Sequence, residues 1–251
     1  MNKVENKEKY LQLFRDYTHN IPVIYSSLEG QYDGELYVDS ENNPQTAVLF
    51  TPFAFHFIAG NTTVENVVDL LDELIFKQYI AKFGQKEAIM FSPNEKWNRV
   101  LDEVFCKHNG LKDLRKIFRL NKLKFLEQTG SKAPQDAKYE LFYEKEGGAK
   151  SSYPVCRVFK DEKYVGYCSG FMLGKGHAEI DVFVEENYRG RGYAKGASTI
   201  LIKELLDKNI EPDWCTWAYR TESQNLAFSL GFEFLNEVPA HIWVEGECDK
   251  L

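Results

Sequence analysis

Val182-Phe183-Val184 ends an apolar, strand-like run, and a few residues later the chain enters Arg189-Gly190-Arg191-Gly192-Tyr193-Ala194. From Tyr193 to Lys208 the pattern is helical, with Ala194, Ala197, Leu201 and Leu205 on one face. With the strands and helices around it, this strand–turn–helix segment predicts a mixed α/β fold. Gly190 and Gly192 let backbone N–H groups converge and let a ligand come close. The first amides of a helix, at the positive end of its dipole, attract an anion such as a diphosphate. Arg189 and Arg191 add positive charge to a chain whose formal net charge is −7. The alternative is a plain surface turn with two glycines and two arginines. A dinucleotide fingerprint does not fit, because it needs G-x-G-x-x-G between parallel strands and the strands preceding this turn read as antiparallel. A nucleoside-triphosphate loop is excluded, since no Gly-Lys-Ser/Thr follows.

The remainder of the second half agrees with an α/β layout. Tyr139–Tyr143, Pro154–Phe159 and Tyr164–Met172 read as strands, and Gly174-Lys175-Gly176 is a hairpin turn into Ala178–Val184. After the long helix come a strand at Trp214–Tyr219, a helix at Glu222–Leu230 and two strands, Phe232–Leu235 and Ala240–Val244. In the first half, Leu36–Asp39 and Thr46–Phe50 flank the turn Asn42-Asn43-Pro44, and Phe53–Ala59 continues extended. The capping box Thr62-Thr63-Val64-Glu65 predicts a helix from Thr62, with Val67, Leu70, Leu71, Leu74 and Ile75 buried. A second box, Ser92-Pro93-Asn94-Glu95, opens a helix that buries Trp97, Val100, Leu101, Val104 and Phe105. Arg115–Leu123 reads as a strand. The polar run 127–138 carries Gly and Pro and reads as a linker, which divides the chain into an N-terminal α+β domain (1–126) and a C-terminal domain (139–251).

An acidic chain with a pI near 5.4 disfavours nucleic-acid or anionic-membrane partners. No apolar run reaches the ~18–20 residues that span a bilayer, and the charged start of the chain lacks a signal-peptide core. The five cysteines, Cys106, Cys156, Cys168, Cys215 and Cys248, have no metal-ligand spacing, so neither a metal site nor a disulfide framework is expected, and the setting is read as cytoplasmic. His56, in an apolar strand, reads as a core residue. His177 lies in a turn, and Cys215, between Trp214 and Thr216, reads as a small buried hydrophobe. Trp97, Trp214, Trp217 and Trp243 read as packing residues. The basic cluster Lys112–Lys124 is too small for a nucleic-acid face.

The turn and its surroundings resemble the GNAT superfamily of acetyl-CoA-dependent N-acetyltransferases. The family signature R/Q-x-x-G-x-G/A is matched by Arg189, Gly192 and Ala194 after Val184, and Ser223–Phe232 is similar to its second motif, a helix ending in Leu230-Gly231-Phe232. Leu28-Glu29-Gly30, Tyr37-Val38-Asp39, Ala59-Gly60, Lys96-Trp97-Asn98-Arg99-Val100-Leu101 and Glu211-Pro212-Asp213-Trp214 are similar to a subgroup that includes the zwittermicin-resistance acetyltransferases. The resemblance implies a C-terminal mixed, mostly antiparallel sheet flanked by helices. It leaves the N-terminal half as a candidate degenerate copy of the same fold.

For the site, the resemblance implies that the pantetheine arm pairs with the strand at Phe183 and Val184. The diphosphate would meet Arg189, Gly190, Arg191, Gly192, Tyr193 and Ala194, with Ser223 and Asn225 as further donor-side contacts. An amine attacking a thioester must lose a proton, and a positioned carboxylate is the usual acceptor. Glu179 and Asp181 lie two apart on the strand and share a face. Glu179 is the first candidate base, with a solvated strand residue or a cation contact as the alternative, and Asp181 is the second. The family's usual acid, a tyrosine four residues before the glycine of Leu-Gly-Phe, is replaced by Ala227; Tyr219, Ser223 and Asn225 are the candidates for that role, and none matches the usual pattern. Between Tyr143 and Pro154 there is no room for the two helices that usually wall the acceptor pocket. The expected activity is acetyl transfer from acetyl-CoA to a primary amine of a small molecule. A catalytically silent acyl-CoA-binding module is the rival, and a purely structural protein the third possibility.

Overall fold

The computed structural model describes residues 1–129, 133–145 and 149–246. The described chain forms two compact units, one of Met1–His19, Ser27–Arg115 and Val238–Leu251, the other of Asn20–Ser26 and Lys116–Glu237. Part of the expected linker, at 130–132, part of the expected short connection, at 146–148, and Cys248 fall outside the described residues.

The first unit contains β1 (Asn2–Val4), β2 (Glu35–Val38), β3 (Thr46–Phe50), β4 (Phe55–Gly60), β5 (Glu87–Phe91), the first part of β6 (Leu111–Leu120) and the last part of β12 (Phe232–Val244). Its strand order is β1-β2-β3-β4-β5-β12-β6. All its ladders whose register is known are antiparallel except β4–β5, which run parallel through Phe55↔Ile89, His56↔Met90 and Phe57↔Phe91. The helix after β4 begins as α2 (Val67–Asp72), widens into a π segment (Glu73–Ile80) and ends as α3 (Ala81–Phe83), and β5 leads to α4 (Glu95–Cys106). Leu71, Leu74, Ile75, Trp97, Leu101 and Val104 are at most 1% exposed and form the core with Val48, Phe50 and Met90.

Both predicted caps in this half are displaced. The helix starts at Val67 rather than Thr62, because the Asn61 side chain accepts the Thr63 N–H at 3.1 Å and turns the chain locally instead. The cap of α4 is Asn94, whose Oδ1 accepts from Lys96 and Trp97 at 3.1 and 3.2 Å. Ser92 donates instead to Asn98 Oδ1 at 2.7 Å. The expected strand 115–123 is shortened at its C-terminal end: Asn121 caps α5 (Lys122–Gln128) by accepting the Lys124 N–H.

The second unit has the order β12-β6-β11-β10-β9-β8-β7, with β7 (Lys138–Glu144), β8 (Tyr153–Lys160), β9 (Lys163–Gly174), β10 (His177–Val184) and β11 (Glu211–Trp217). β7 through β10 are antiparallel neighbours, and β10–β11 is parallel. α6 (Tyr193–Asp207) joins β10 to β11, and α7 (Thr221–Ser229) joins β11 to β12. The two strands expected after Leu230 are one, Phe232–Val244, which runs on through the residues read as a break. The helix α6 lies close to the sheet because glycine makes room on both sides. A Cβ on Gly170 would lie 3.1 Å from Leu205, and one on Gly196 would lie 2.6 Å from the Tyr139 hydroxyl. Ala197, Leu201 and Leu205 are fully buried against Cys156, Val158, Val165, Ala178 and Ile180.

Each unit thus follows one plan: antiparallel strands, a strand whose next neighbour is parallel, a helix between those two, and a second helix after them. The fold class expected from the sequence, a mixed, mostly antiparallel sheet flanked by helices, is the one observed, and the shared plan agrees with the N-terminal half as a candidate copy of the C-terminal one.

Candidate functional site

β10 is held on one side by β9 along its length, from His177↔Gly174 to Val184↔Gly166. On the other side its parallel register with β11 covers His177↔Glu211, Ala178↔Pro212 and Glu179↔Asp213. Beyond Glu179 the backbone of β10 therefore runs on to Val184 with a strand edge facing the gap. Such an edge presents N–H and C=O groups to an extended, amide-containing ligand.

The gap leads to the glycine turn. Gly190 and Gly192 have φ of 74° and 82°, the left-handed conformation that glycine adopts without steric cost. Gly192 is the N-cap of α6 and supplies no side-chain cap, so the first-turn amides are covered by no side chain of their own cap residue. A Cβ on Gly192 would lie 3.2 Å from Pro134 Cγ, whereas one on Gly190 would meet open space. The arginines brace the turn: Arg189 Nε donates to the Val184 carbonyl and Arg191 to the Asn187 carbonyl, each at 3.1 Å, and the Arg191 guanidinium lies 5.5 Å from the Tyr188 ring. Arg189 thus engages one of the two backbone positions expected to meet a pantetheine arm. Tyr193 is buried and donates to Asp136 at 2.8 Å, which ties the segment before β7 to the start of α6 and holds the Asp136 carboxyl below its usual range. These features fit a diphosphate-bearing ligand: two left-handed glycines, an uncapped helix start and two exposed guanidiniums.

On the face of the sheet away from α6, Glu179, Asp181 and Phe183 follow one another along β10. Glu179 is 8% exposed, Asp181 is half-buried, and Phe183 is 44% exposed. Tyr167 on β9 donates to Asp181 Oδ2 at 2.5 Å, and burial followed by that hydrogen bond raises the Tyr167 hydroxyl above its ordinary value. The Phe183 and Tyr167 rings lie 6.1 Å apart. A cavity of about 510 Å³ opens on this face, bordered by Asp181, Tyr167, Tyr164, Phe171, Arg157 and Glu144 among others.

Other sequence candidates sit apart from these carboxylates. Ser223 accepts the Trp214 indole N–H at 3.2 Å, Asn225 is exposed on α7, and Tyr219 is 65% exposed with the Arg220 guanidinium 6.0 Å from its ring. Ala227 is fully buried. Gly231, with φ 84°, lets α5 approach: a Cβ there would lie 2.5 Å from the Phe125 nitrogen. His56 is buried between Phe50 and Tyr79, and burial lowers its pKa to about 3. His177 pairs with Asp213 at 2.9 Å. Burial pushes the Cys156 thiol up to about 12, as suits a core residue, and Cys215 is half-buried. In the Lys112–Lys124 run, Lys112, Lys122 and Lys124 pair with Asp102, Glu211 and Glu233. Among the described residues no three His, Cys, Asp or Glu side chains gather as a metal site, and no helix is long and apolar enough to cross a membrane.

The corresponding place in the first unit is built differently. Where β4 and β5 end their parallel register, the buried Tyr17 hydroxyl lies 2.7 Å from the Ile58 carbonyl and 2.9 Å from the Phe91 carbonyl. Trp97 Nε1 donates to the Gly60 carbonyl at 2.8 Å, and His19 Nε2 lies 3.2 Å from that of Ser92. The turn that follows, Asn61-Thr62-Thr63-Val64-Glu65-Asn66, has neither glycine nor arginine.

The family model for GNAT acetyltransferases matches this chain over residues 12–145 and again over 113–241. The chain belongs to the GNAT acetyltransferase family. It is 25% identical over 249 residues to the uncharacterized N-acetyltransferase YdfB of Bacillus subtilis, across 92% of this chain and 94% of that one. Its fold is similar to that of a GCN5-related N-acetyltransferase-like protein from Streptococcus suis, with a TM-score of 0.67, 23% identity and coverage of 95% and 98%. It is also similar in fold to a tandem GNAT protein from the clavulanic acid biosynthesis pathway, with a TM-score of 0.62, 9% identity and coverage of 92% and 89%. In this GNAT acetyltransferase Arg189, Gly192 and Ala194, which resemble the family signature, lie in the second unit at the strand–helix turn described above.

Sequence reasoning missed Tyr167, Tyr164, Arg157 and Tyr17. Tyr167 was legible in principle, since Tyr167, Ser169 and Phe171 alternate along β9 with buried Cys168, Gly170 and Met172, whereas Tyr164 reaches this face through a register shift between Val158 and Phe159. Tyr17 carried no local signal, since its partners lie 41 and 74 residues away.

Proposed function

We infer that this GNAT acetyltransferase moves an acetyl group from acetyl-CoA to a primary amine of a small molecule, directly, with donor and acceptor bound together. The observation that carries this reading is the parting of β10 from β11 after Glu179↔Asp213, beside the glycine turn at the start of α6. An extended pantetheine arm fits the strand edge near Phe183, and its diphosphate fits the amides and guanidiniums of Arg189–Ala194. Acetyl-CoA supplies the thioester as co-substrate, and no metal is part of the proposal.

Glu179 is the proposed base. It lies on the strand that lines the gap and is buried enough to act in a water-poor setting. As the amine nitrogen bonds to the acetyl carbon, the carboxylate takes the surplus N–H proton, directly or through one water, and the carbon–sulfur bond breaks with its electron pair on sulfur. A free thiol has a pKa near ~8.5, so the thiolate leaves without a dedicated acid being essential. Tyr219, near the start of α7, is the candidate for returning a proton.

A silent acyl-CoA-binding module is the second reading, favoured by the buried Ala227 at the family's tyrosine position. A thiol-release assay with acetyl-CoA and an amine panel separates the two. The transferase reading expects amine-dependent release that Glu179→Gln lowers by about 100-fold or more, in line with a general base. Acetyl-CoA binding without release for any amine supports the module.

A further inference from the structure

We propose that the cavity on the open face of β7–β10 is the acceptor pocket, and that its acceptor is a small cationic amine with an aromatic or flat apolar body. The proposal rests on the transferase reading above and adds the substrate class.

Five of its lining residues are aromatic: Tyr153, Phe159, Tyr164, Tyr167 and Phe171. They come from β8 and β9 only, so they form a floor rather than a closed cage. Three charged side chains border the same space. Arg157 is committed to Glu144, so that pair contributes little net charge. Asp181 is different. It accepts the Tyr167 hydroxyl, a neutral donor that orients it without cancelling its charge, and among the described residues it forms no ion pair. The cavity thus offers π faces and one uncompensated carboxylate, a combination that attracts an ammonium group and disfavours an anion.

The strand register gives this arrangement a direction. Val155, Ser169 and Asp181 are opposite one another across β8, β9 and β10, as are Arg157, Tyr167 and Phe183 one row along. The carboxylate therefore lies on the strand that borders the donor gap, and the rings extend away from it toward β8. An acceptor bound by both ends would point its nitrogen at β10 and lay its body over Tyr167 and Tyr164. Asp181 would hold the ammonium, which must first release one proton to solvent to become the free amine, and Glu179, two residues back on the same face, would take the second proton as the N–C bond forms. Among the described residues that line it, the cavity's one guanidinium is already paired, which leaves none to meet an acceptor's own carboxylate.

The experiment measures thiol release from acetyl-CoA with four probes at equal concentrations: 2-phenylethylamine, n-butylamine, 2-phenylethanol and glutamate. Acetyl-CoA affinity is measured in parallel by calorimetry on wild type, Asp181→Asn and Tyr164→Leu. The proposal expects kcat/KM for 2-phenylethylamine to exceed that for n-butylamine by about tenfold, the scale of a desolvated ring contact. It expects no turnover of 2-phenylethanol or glutamate. Asp181→Asn should raise KM for 2-phenylethylamine about tenfold or more with acetyl-CoA affinity unchanged, and Tyr164→Leu should erode the preference for the ring. Equal or better turnover of n-butylamine, or an Asp181→Asn variant that binds acetyl-CoA with wild-type KM for the amine, would overturn the pocket assignment alone. Wild-type protein that does not bind acetyl-CoA would overturn the transferase reading and this inference with it.

Discussion

The Tyr167 hydroxyl donates to the Asp181 carboxylate at 2.5 Å, across neighbouring strands of the open sheet face. The pair fixes the carboxylate's direction without neutralising it. Tyr167→Phe removes the donor and keeps the ring, so it isolates that orienting role. The expected result is a roughly fivefold loss of kcat/KM for a cationic acceptor, equivalent to about 1 kcal/mol for one hydrogen bond, with acetyl-CoA affinity unchanged. An unaltered kcat/KM would show that the hydroxyl does not position Asp181.

Tyr17 plays a different part in the first unit. Its hydroxyl occupies the point where β4 and β5 separate, within reach of the Ile58 and Phe91 carbonyls. Tyr17→Phe leaves buried carbonyls without that donor, and urea denaturation should register a loss of about 1–3 kcal/mol. Stability equal to wild type would mean that water or a neighbouring group satisfies those carbonyls instead.

His177 gives the fold a pH dependence of known sign. Its hydrogen bond to Asp213 raises its folded pKa above the ordinary value, against a smaller opposing effect of burial. A raised folded pKa stabilises fully below the unfolded value, near ~6.5, and that contribution is lost as pH climbs through the folded value. The melting temperature of His177→Gln should therefore fall furthest below wild type near pH ~5.5, and the gap should narrow by pH ~8.5. A gap that widens with pH would reverse the assignment.

Gly231 belongs to the Leu-Gly-Phe motif, yet its constraint is packing. Its φ is 84°, and a Cβ would come within 2.5 Å of the Phe125 backbone nitrogen at the start of α5. Gly231→Ala should cost about 2 kcal/mol or more through strain and overpacking, read as a lower denaturant midpoint. A midpoint matching wild type would place the motif's value elsewhere.

Much of this was legible in the sequence because the informative signals were local. Alternation located most strands, the 3.6-residue period located α6, and the glycine turn marked the strand–helix junction proposed to hold a diphosphate. Local signals misled where a neighbouring side chain competed. Asn61 captured an amide in the Thr62 box, and Asn94 displaced Ser92 as the cap of α4. Lys122 and Leu123 extended a strand pattern that Asn121 ends by capping α5. The aromatic floor beside Asp181 was less legible, because it arises from register among three strands and not from any one of them. Tyr17 was not legible, since its carbonyl partners come together only in the folded sheet.

The central claim is that one acetyl-CoA binds each chain at the turn between β10 and α6. Isothermal titration of acetyl-CoA into wild type and Gly192→Glu tests it most directly. The account predicts a single equivalent for wild type, because Tyr17 fills the matching place in the first unit, and no measurable binding for Gly192→Glu, whose side chain would enter the turn beside Pro134. Unchanged affinity in a folded Gly192→Glu variant would contradict it.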